Sequence, residues 1–74
     1  MKLSDLKIYQ KAKIKKLNIE DVKYKTRLEE LGLFVGSEIC VLNFSPLKET
    51  LLVQIFNSVF ALKNEIAKQI EVEC

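Results

Sequence analysis

The 74-residue chain contains no histidine and no tryptophan, and it has only one proline, two glycines and two cysteines. Without histidine it lacks the side chain that most often acts as a general base near neutral pH, and no Ser–His or Cys–His pair can form. No glycine-rich loop of the kind that cradles phosphates or dinucleotides is present. These absences exclude the common catalytic arrangements, and we expect a protein that is not an enzyme.

Long apolar runs and targeting segments are also missing. The apolar stretches span a few residues each, far short of the roughly 20 that cross a bilayer. Residues 1–7 lack the apolar middle region of a signal peptide. We therefore expect a cytoplasmic protein without direct membrane insertion, and the lack of linkers or repeats predicts one domain over residues 1–74.

The two cysteines predict neither a disulfide nor a metal site. Cys40 and Cys74 lie 34 positions apart, which is not a zinc-ligand spacing. Cys40 falls in an apolar run and is predicted to be a small buried core residue, whereas Cys74 is predicted to be a free terminal thiol. We expect no cofactor and no metal site, although Glu29-Glu30 or Glu71-x-Glu73 could hold an adventitious divalent ion.

Charge is distributed unevenly along the chain. Residues 1–27 carry nine Lys and Arg against three Asp and Glu, a net of +6, and residues 28–74 carry three against seven, a net of −4. This polarity suits docking on an acidic surface or head-to-tail pairing into a homo-oligomer. A simpler interpretation rests on Lys11–Lys15, where lysines alternate with apolar residues as on the solvent face of an edge strand.

Nucleic-acid binding is an alternative that the basic first half keeps open. Base stacking needs exposed aromatic side chains. Tyr9 and Tyr24 stand beside lysines and could serve, but the four phenylalanines lie in apolar runs that predict core or groove positions. Nucleic acid is therefore the less expected partner.

Hydrophobic periodicity predicts a mainly β protein with five short strands. One helix of about twelve residues follows the first strand, with Asn18 as its cap and Val22, Tyr24, Leu28 and Leu31 as its apolar positions. Short helical turns are predicted at 3–6 and 64–68. The strands are predicted at 11–17, 38–44, 50–56, 59–63 and 70–73.

Two details of the strands matter for the candidate site. In the second strand, alternation places Ile39, Val41 and Asn43 on one face and Cys40, Leu42 and Phe44 on the other. The third and fourth strands are joined by a predicted two-residue loop, Asn57-Ser58, because asparagine tolerates the left-handed conformation. Short strands with hairpin connections predict a small barrel, which removes exposed edges, with the helix covering one mouth.

Both glycines lie at one junction between the helix and the second strand. Gly32 follows the last periodic leucine, where a left-handed residue ends many helices, and Gly36 marks a second bend. The junction belongs to a set of strings that together resemble the FeoA family. The strings are Leu3-x-x-Leu6, Arg27-Leu28-x-x-Leu31-Gly32-Leu33-x-x-Gly36, Ser45-Pro46-Leu47 and Ala61-Leu62-Lys63-x-x-x-Ala67-x-x-Ile70-x-Val72.

The resemblance implies an SH3-like barrel, in agreement with the small five-stranded barrel that the strand pattern predicts independently. It further implies a non-catalytic accessory or regulatory protein of bacterial ferrous iron uptake, which acts by protein–protein interaction with the cytoplasmic parts of the FeoB permease. A similar domain ends the metal-dependent repressors of the DtxR type, so a stand-alone relative of that domain is a second alternative.

The chain departs from the family pattern at three places. Tyr9 stands where the family usually has glycine, so a bulky residue must avoid positive φ there or bear a cost of roughly 1 kcal/mol. Lys48-Glu49-Thr50 replaces the usual Gly-Asp-Pro, which predicts a different loop shape. Lys63 replaces an arginine and loses its bidentate geometry.

The candidate partner-binding surface combines the Leu33-Phe34-Val35 corner with the Pro46-Leu47 loop, and Tyr9 is a further contact residue. Phe34 lies in a connection, where a large apolar group has less reason to be than in a strand, and it could anchor in a groove of a partner. The alternative is that Phe34 plugs the barrel mouth. Leu47 likewise either meets a partner or folds back onto the core.

Overall fold

Five antiparallel strands form one curled sheet in the computed structural model, which describes all residues from 1 to 74. The strands are β1 (Lys11–Leu17), β2 (Glu38–Phe44), β3 (Thr50–Ile55), β4 (Ser58–Lys63) and β5 (Ile70–Glu73). A 3-10 turn (Leu3–Asp5) precedes β1, α1 (Val22–Glu30) joins β1 to β2, and α2 (Asn64–Ala67) joins β4 to β5. The predicted mainly β architecture with one helix after the first strand is confirmed.

The strand order is β4-β3-β2-β1-β5, so β4 and β5 are the two ends of the sheet. They share no pairing, and α2 spans the gap between them while contacting β3, β4 and the N-terminal turn. Seventeen buried apolar side chains fill the inside of the curl as one cluster. They are Leu3, Leu6, Ala12, Ile14, Leu17, Ile19, Leu28, Leu33, Ile39, Val41, Leu51, Val53, Ile55, Leu62, Ala67, Ile70 and Val72.

A β-bulge in β2 changes which of its side chains face the core. Val41 pairs with Val53 and Asn43 pairs with Leu52, so Leu42 is the extra, unpaired residue. Beyond the bulge the alternation is reversed, and Phe44 packs against the core with Ile39 and Val41. The predicted placement of Phe44 opposite these residues is therefore wrong.

Cys40 is half-buried on the outer face of the sheet, because its neighbours Ile39 and Val41 occupy the core face. The prediction of a buried core cysteine is wrong for that reason. Cys74 is exposed, and both cysteines are free thiols.

The lysine-rich strand β1 is an interior strand, which corrects the edge-strand interpretation of Lys11–Lys15. It pairs with both β2 and β5. Lys13 lies opposite Glu38 on one side and Glu73 on the other, and Lys16 lies opposite Glu71. Opposite charges on neighbouring strands are favourable in this arrangement. The fold thus brings acidic residues of the second half of the chain beside the basic residues of the first.

Helix α1 begins three residues later than predicted. Asp21 is its N-cap, and the carboxylate accepts hydrogen bonds from the amides of Lys23 at 3.0 Å and Tyr24 at 3.2 Å. Asn18 instead extends the ladder between β1 and β5, because its amide donates to the carbonyl of Gln69 at 2.8 Å. The predicted cap at Asn18 is wrong, and the helix has nine residues rather than about twelve.

The apolar face of α1 is narrower than predicted. Leu28 is its only buried residue, and the half-buried Tyr24 packs beside the core. Val22 is 74% exposed, and Leu31 at the C-cap is also exposed. The helix is therefore attached to the barrel through one turn.

The hairpin loop between β3 and β4 is Phe56-Asn57 rather than Asn57-Ser58. Ile55 pairs with Ser58, so Ser58 belongs to β4 and Phe56 leaves the strand. The left-handed residue of the loop is Phe56, with φ of +54°. The loop prediction failed by one position because Leu51, Val53 and Ile55 set the inward alternation that ends the strand at Ile55.

Candidate partner-binding surface

Gly32 ends α1 in the left-handed conformation, as predicted, with φ of +104°. The amide of Leu33 turns back and donates to the carbonyl of Leu28 at 2.9 Å. A Cβ atom at position 32 would lie 3.0 Å from Cγ2 of Ile55 and 3.3 Å from the ring of Phe56. Glycine is thus required twice here, once for its φ and once for the close approach of the β3–β4 hairpin.

Leu33 and Gly36 attach the junction to the barrel, Leu33 by packing in the core and Gly36 by a backbone hydrogen bond to β1. Leu33 is 0% exposed and belongs to the core. Gly36, with φ of +95°, donates its amide to the carbonyl of Ile14 at 2.8 Å, and the Ile14 amide donates to the carbonyl of Ser37 at 2.9 Å. Leu33 was predicted as part of the partner-binding surface, but a side chain with no exposed area cannot meet a partner, so that placement is corrected.

Phe34, Val35 and Phe56 form an exposed apolar surface, which we call the junction patch. The rings of Phe34 and Phe56 meet edge to face, with centroids 6.5 Å apart and planes at 81°. Phe34 is 39% exposed, Phe56 is 69% exposed, and Val35 is exposed beside them. An edge-to-face pair contributes about 0.5–1.5 kcal/mol beyond area burial, so the two rings hold each other in place.

Phe56 is the residue that sequence reasoning missed. It was assigned to the end of a strand, with the other phenylalanines of the core or groove. In the structure it sits in the left-handed region, which costs an L-residue with a large side chain about 1–2 kcal/mol. A strained, exposed aromatic residue at a position suited to glycine points to a role for its ring. The outward positions Leu52 and Gln54 alternate with Phe56, and that pattern could have revealed it.

The Pro46-Leu47 loop lies at the other end of the sheet. Both residues are exposed, Leu47 by 79%. The Ser45 hydroxyl closes the loop by accepting hydrogen bonds from the amides of Glu49 at 3.0 Å and Thr50 at 3.1 Å. The six residues of β3 separate this loop from the hairpin that carries Phe56, a span of roughly 20 Å. The predicted single surface of corner and loop is therefore two separate surfaces.

Tyr9 lies between the two ends of the sheet, beside the middle of β2. It precedes β1, its side chain is 74% exposed, and its amide donates to the carbonyl of Val41 at 2.6 Å. Its φ is +66°, so the tyrosine occupies the left-handed conformation that the family's glycine suits and bears the associated cost. Lys48, at another position where the family has glycine, is left-handed as well, with φ of +56°.

A basic groove of about 780 Å³ opens at the same loop end. Lys7, Lys48 and Lys68 reach it from three separate segments, and Ile8 and Phe44 supply apolar lining. The Lys48 ammonium lies 5.8 Å from the centroid of the Phe44 ring, within the range of a cation–π contact. The two ends of the sheet therefore differ in chemistry, apolar at the junction patch and basic at the loop.

No group of three or more His, Cys, Asp or Glu side chains is arranged to hold a metal ion. Neither helix has the length and apolar character needed to span a membrane.

The whole chain, residues 1–74, matches the family model described as the FeoA domain. The chain belongs to the FeoA family. No curated protein matches its sequence. The family assignment agrees with the resemblance carried by the Arg27–Gly36 string, and it associates the chain with ferrous iron transport.

Two solved FeoA structures illustrate the similarity. The solution structure of the FeoA protein from Chlorobium tepidum is 32% identical and superposes with a TM-score of 0.92 over 99% of this chain and 69% of that one. The crystal structure of Stenotrophomonas maltophilia FeoA complexed with zinc, described as a procaryotic SH3 domain protein, is also 32% identical, with a TM-score of 0.83 over 99% of this chain and 89% of that one. The predicted SH3-like fold is thereby confirmed.

The same fold occurs within larger repressors. IdeR of T. acidophilum is 22% identical to this chain and has a TM-score of 0.83, and the matched region covers 99% of this chain but 33% of that one. At this level of identity the similarity concerns the fold alone.

Proposed function

We propose that this FeoA protein is a non-catalytic accessory protein of bacterial ferrous iron uptake, which acts in the cytoplasm by binding the cytoplasmic part of the FeoB permease through the junction patch. Family membership supports the link to iron uptake. The observation that carries the choice of surface is the exposed Phe34–Phe56 pair, held against the glycine junction.

The junction patch has the properties of an interaction anchor. Aromatic residues are enriched where a few side chains contribute most of the binding energy, and they lose little conformational entropy on binding. Leu33 beneath the patch and the hydrogen bonds around Gly36 keep the patch rigid, which lowers the cost of ordering it in a complex. Phe34 remains partly exposed, and the neighbouring Leu33 is the residue of this connection that is buried in the barrel interior.

Pro46 and Leu47 form a second proposed contact at the loop end, and Tyr9 is a further proposed contact between the two ends. Their exposure supports these contacts, but Pro46 and Leu47 lie about the length of β3 away from the junction patch. A partner that touches both surfaces must therefore wrap along the sheet or present two separate segments. We expect the loop end to contribute less than the junction patch, since Leu47 has no aromatic neighbour that restricts it.

Binding assays with the purified cytoplasmic part of FeoB test this proposal. Phe34→Ala and Phe56→Asn should each weaken binding about tenfold or more, the range that follows loss of an anchor worth about 1.4 kcal/mol or more. Val22→Ala is the matched control, because Val22 is an exposed apolar residue on α1 outside both surfaces. Full binding by both phenylalanine variants, with their spectra unchanged, would exclude the junction patch.

A further inference from the structure

The two edge strands of the sheet differ in what covers them. Along β5, the amide of Val72 donates to the carbonyl of Met1 at 2.8 Å, and Lys2 forms a bridge with Glu71. The N-terminal segment therefore occupies that edge. Strand β4 pairs only with β3, and the one other element that contacts it closely is α2, which continues from its end.

The register shows which backbone groups of β4 face outward. The amide of Asn64 donates to the carbonyl of Glu49 at 2.8 Å, so these two residues form a hydrogen-bonded pair at the end of the β3–β4 ladder. Hydrogen-bonded and non-hydrogen-bonded pairs alternate along an antiparallel ladder. Phe60 and Leu62 therefore bond to β3, whereas the N–H and C=O groups of Val59 and Ala61 point away from the sheet, and none of the remaining backbone hydrogen bonds uses them.

The side chains along this edge do nothing to prevent pairing. Natural edge strands are commonly protected by charges, proline, a bulge or a covering segment. Strand β4 has the sequence SVFALK, without proline or a register shift, and its one charge is at its end. Val59 is 50% exposed and Ala61 is exposed, both on the outer face. Leu52 lies directly opposite Ala61 and continues the apolar strip.

We propose that β4 pairs antiparallel with β4 of a second copy of the chain, about a two-fold axis beside Phe60. This register sets Val59 opposite Ala61 of the second copy and Ala61 opposite its Val59. Each of these pairs exchanges both of its hydrogen bonds, so about four new N–H···O bonds form. The pairing satisfies all the outward groups of Val59 and Ala61 at once.

The outward groups of this edge are self-complementary about Phe60, and charge does not oppose a second copy as the occupant. In the antiparallel register the two Lys63 residues lie at opposite ends of the paired strands, about 20 Å apart. That distance is roughly twice the Debye length at 0.1 M salt, so their repulsion is screened. The contact consists of about four backbone hydrogen bonds and a short apolar strip, so we expect a weak and concentration-dependent dimer. The proposal is independent of FeoB binding, which uses the junction patch.

Amide hydrogen exchange of the full chain, followed by NMR, tests the pairing directly. At about 20 µM, where a weak dimer dissociates, the amides of Val59 and Ala61 exchange rapidly while those of Phe60 and Leu62 are protected by β3. At about 1 mM, the Val59 and Ala61 amides gain at least tenfold protection, and light scattering reports an increased mass. Unchanged exchange of these two amides at the higher concentration overturns the proposal, whatever the mass.

Two variants and a control separate edge pairing from other association. Ala61→Pro removes an outward donor without removing a bond to β3, since proline is tolerated at such edge positions. It should leave the spectrum folded and abolish the concentration-dependent mass. If Ala61→Pro does not fold, Val59→Lys tests the same edge by adding a charge to each copy. Val22→Lys, on α1, should dimerise like the parent chain. A dimer that persists in a folded edge variant contradicts the proposal, and so does a dimer lost only in the control.

Discussion

Residues with a left-handed backbone occur at both ends of the sheet, but their surroundings differ. At the junction end Phe56 is left-handed, and its ring covers Gly32 and meets Phe34. At the loop end Lys48 is left-handed and lines a basic groove. Tyr9, beside the middle of β2, is left-handed as well, and both stand where the family usually has glycine. The junction end is fastened to β1 through Gly36 and to the core through Leu33. The loop end is a turn closed mainly by one serine.

This difference is the reason for proposing the junction end as the main anchor for a partner. A rigid apolar patch loses little entropy on binding, whereas an exposed turn with a flexible leucine must first be ordered.

The largest contrast concerns the two leucines of the predicted surface. Leu33→Ala should destabilise the fold by about 2–5 kcal/mol, because it leaves a cavity under the junction patch. Leu47→Ala removes an exposed side chain and should change the stability by less than about 0.5 kcal/mol. Urea unfolding followed by circular dichroism measures both. Equal effects would mean that Leu47 packs on the core after all.

The two glycines of the junction provide the next comparison. Gly36→Ala meets no atom within 4 Å and should cost only the left-handed strain, about 1–2 kcal/mol. Gly32→Ala bears the same strain and also presses against Ile55, so it should cost about 1 kcal/mol more. Urea unfolding of the two variants gives the difference between their unfolding midpoints, which measures this extra cost. A Gly32 variant as stable as the Gly36 variant would show that the β3–β4 hairpin does not pack tightly on the junction.

Substitution of the strained aromatic residues should change the stability by a smaller amount and in the opposite direction. Tyr9→Asn should stabilise the fold by up to about 1 kcal/mol, because asparagine tolerates the left-handed region. Phe56→Asn gains the same relief but loses the ring pair with Phe34, worth about 0.5–1.5 kcal/mol, so its net change should be near zero. Thermal melts compare the two variants. If Phe56→Asn stabilises as much as Tyr9→Asn, the two rings contribute nothing to each other.

The smallest expected effect is at Ser37, beside the junction. Its hydroxyl oxygen is buried and has no hydrogen-bond partner. Ser37→Ala removes no bond and should leave the stability unchanged or raise it by about 0.5 kcal/mol. If Ser37→Ala lowers the free energy of unfolding by more than about 1 kcal/mol, the hydroxyl has a hydrogen-bond partner, such as a bound water.

Much of this architecture could be predicted from the sequence, because local signals set it. Alternation placed every strand, and Gly32 marked the end of the helix. The bulge at Leu42 could not be predicted, since it depends on the pairing of β2 with β3 across the sheet. The same long-range register moved Phe56 into the turn.

The candidate surface was predicted only in part for a related reason. In a connection such as Leu33-Phe34-Val35 there is no period to show which side chain turns inward. In the structure the branched aliphatic Leu33 is buried in the core, and Phe34 lies at the rim of the barrel. The distance between the junction and the Pro46-Leu47 loop follows from the direction of β3, which composition and spacing do not reveal.

Chemical-shift mapping of the isotope-labelled chain with the unlabelled cytoplasmic part of FeoB tests whether the junction patch binds the permease. We expect the largest changes on the amides of Phe34, Val35 and Phe56, with smaller changes at Leu47 and Tyr9. Changes confined to the loop end, or no change at concentrations that saturate an intact complex, would contradict this proposal.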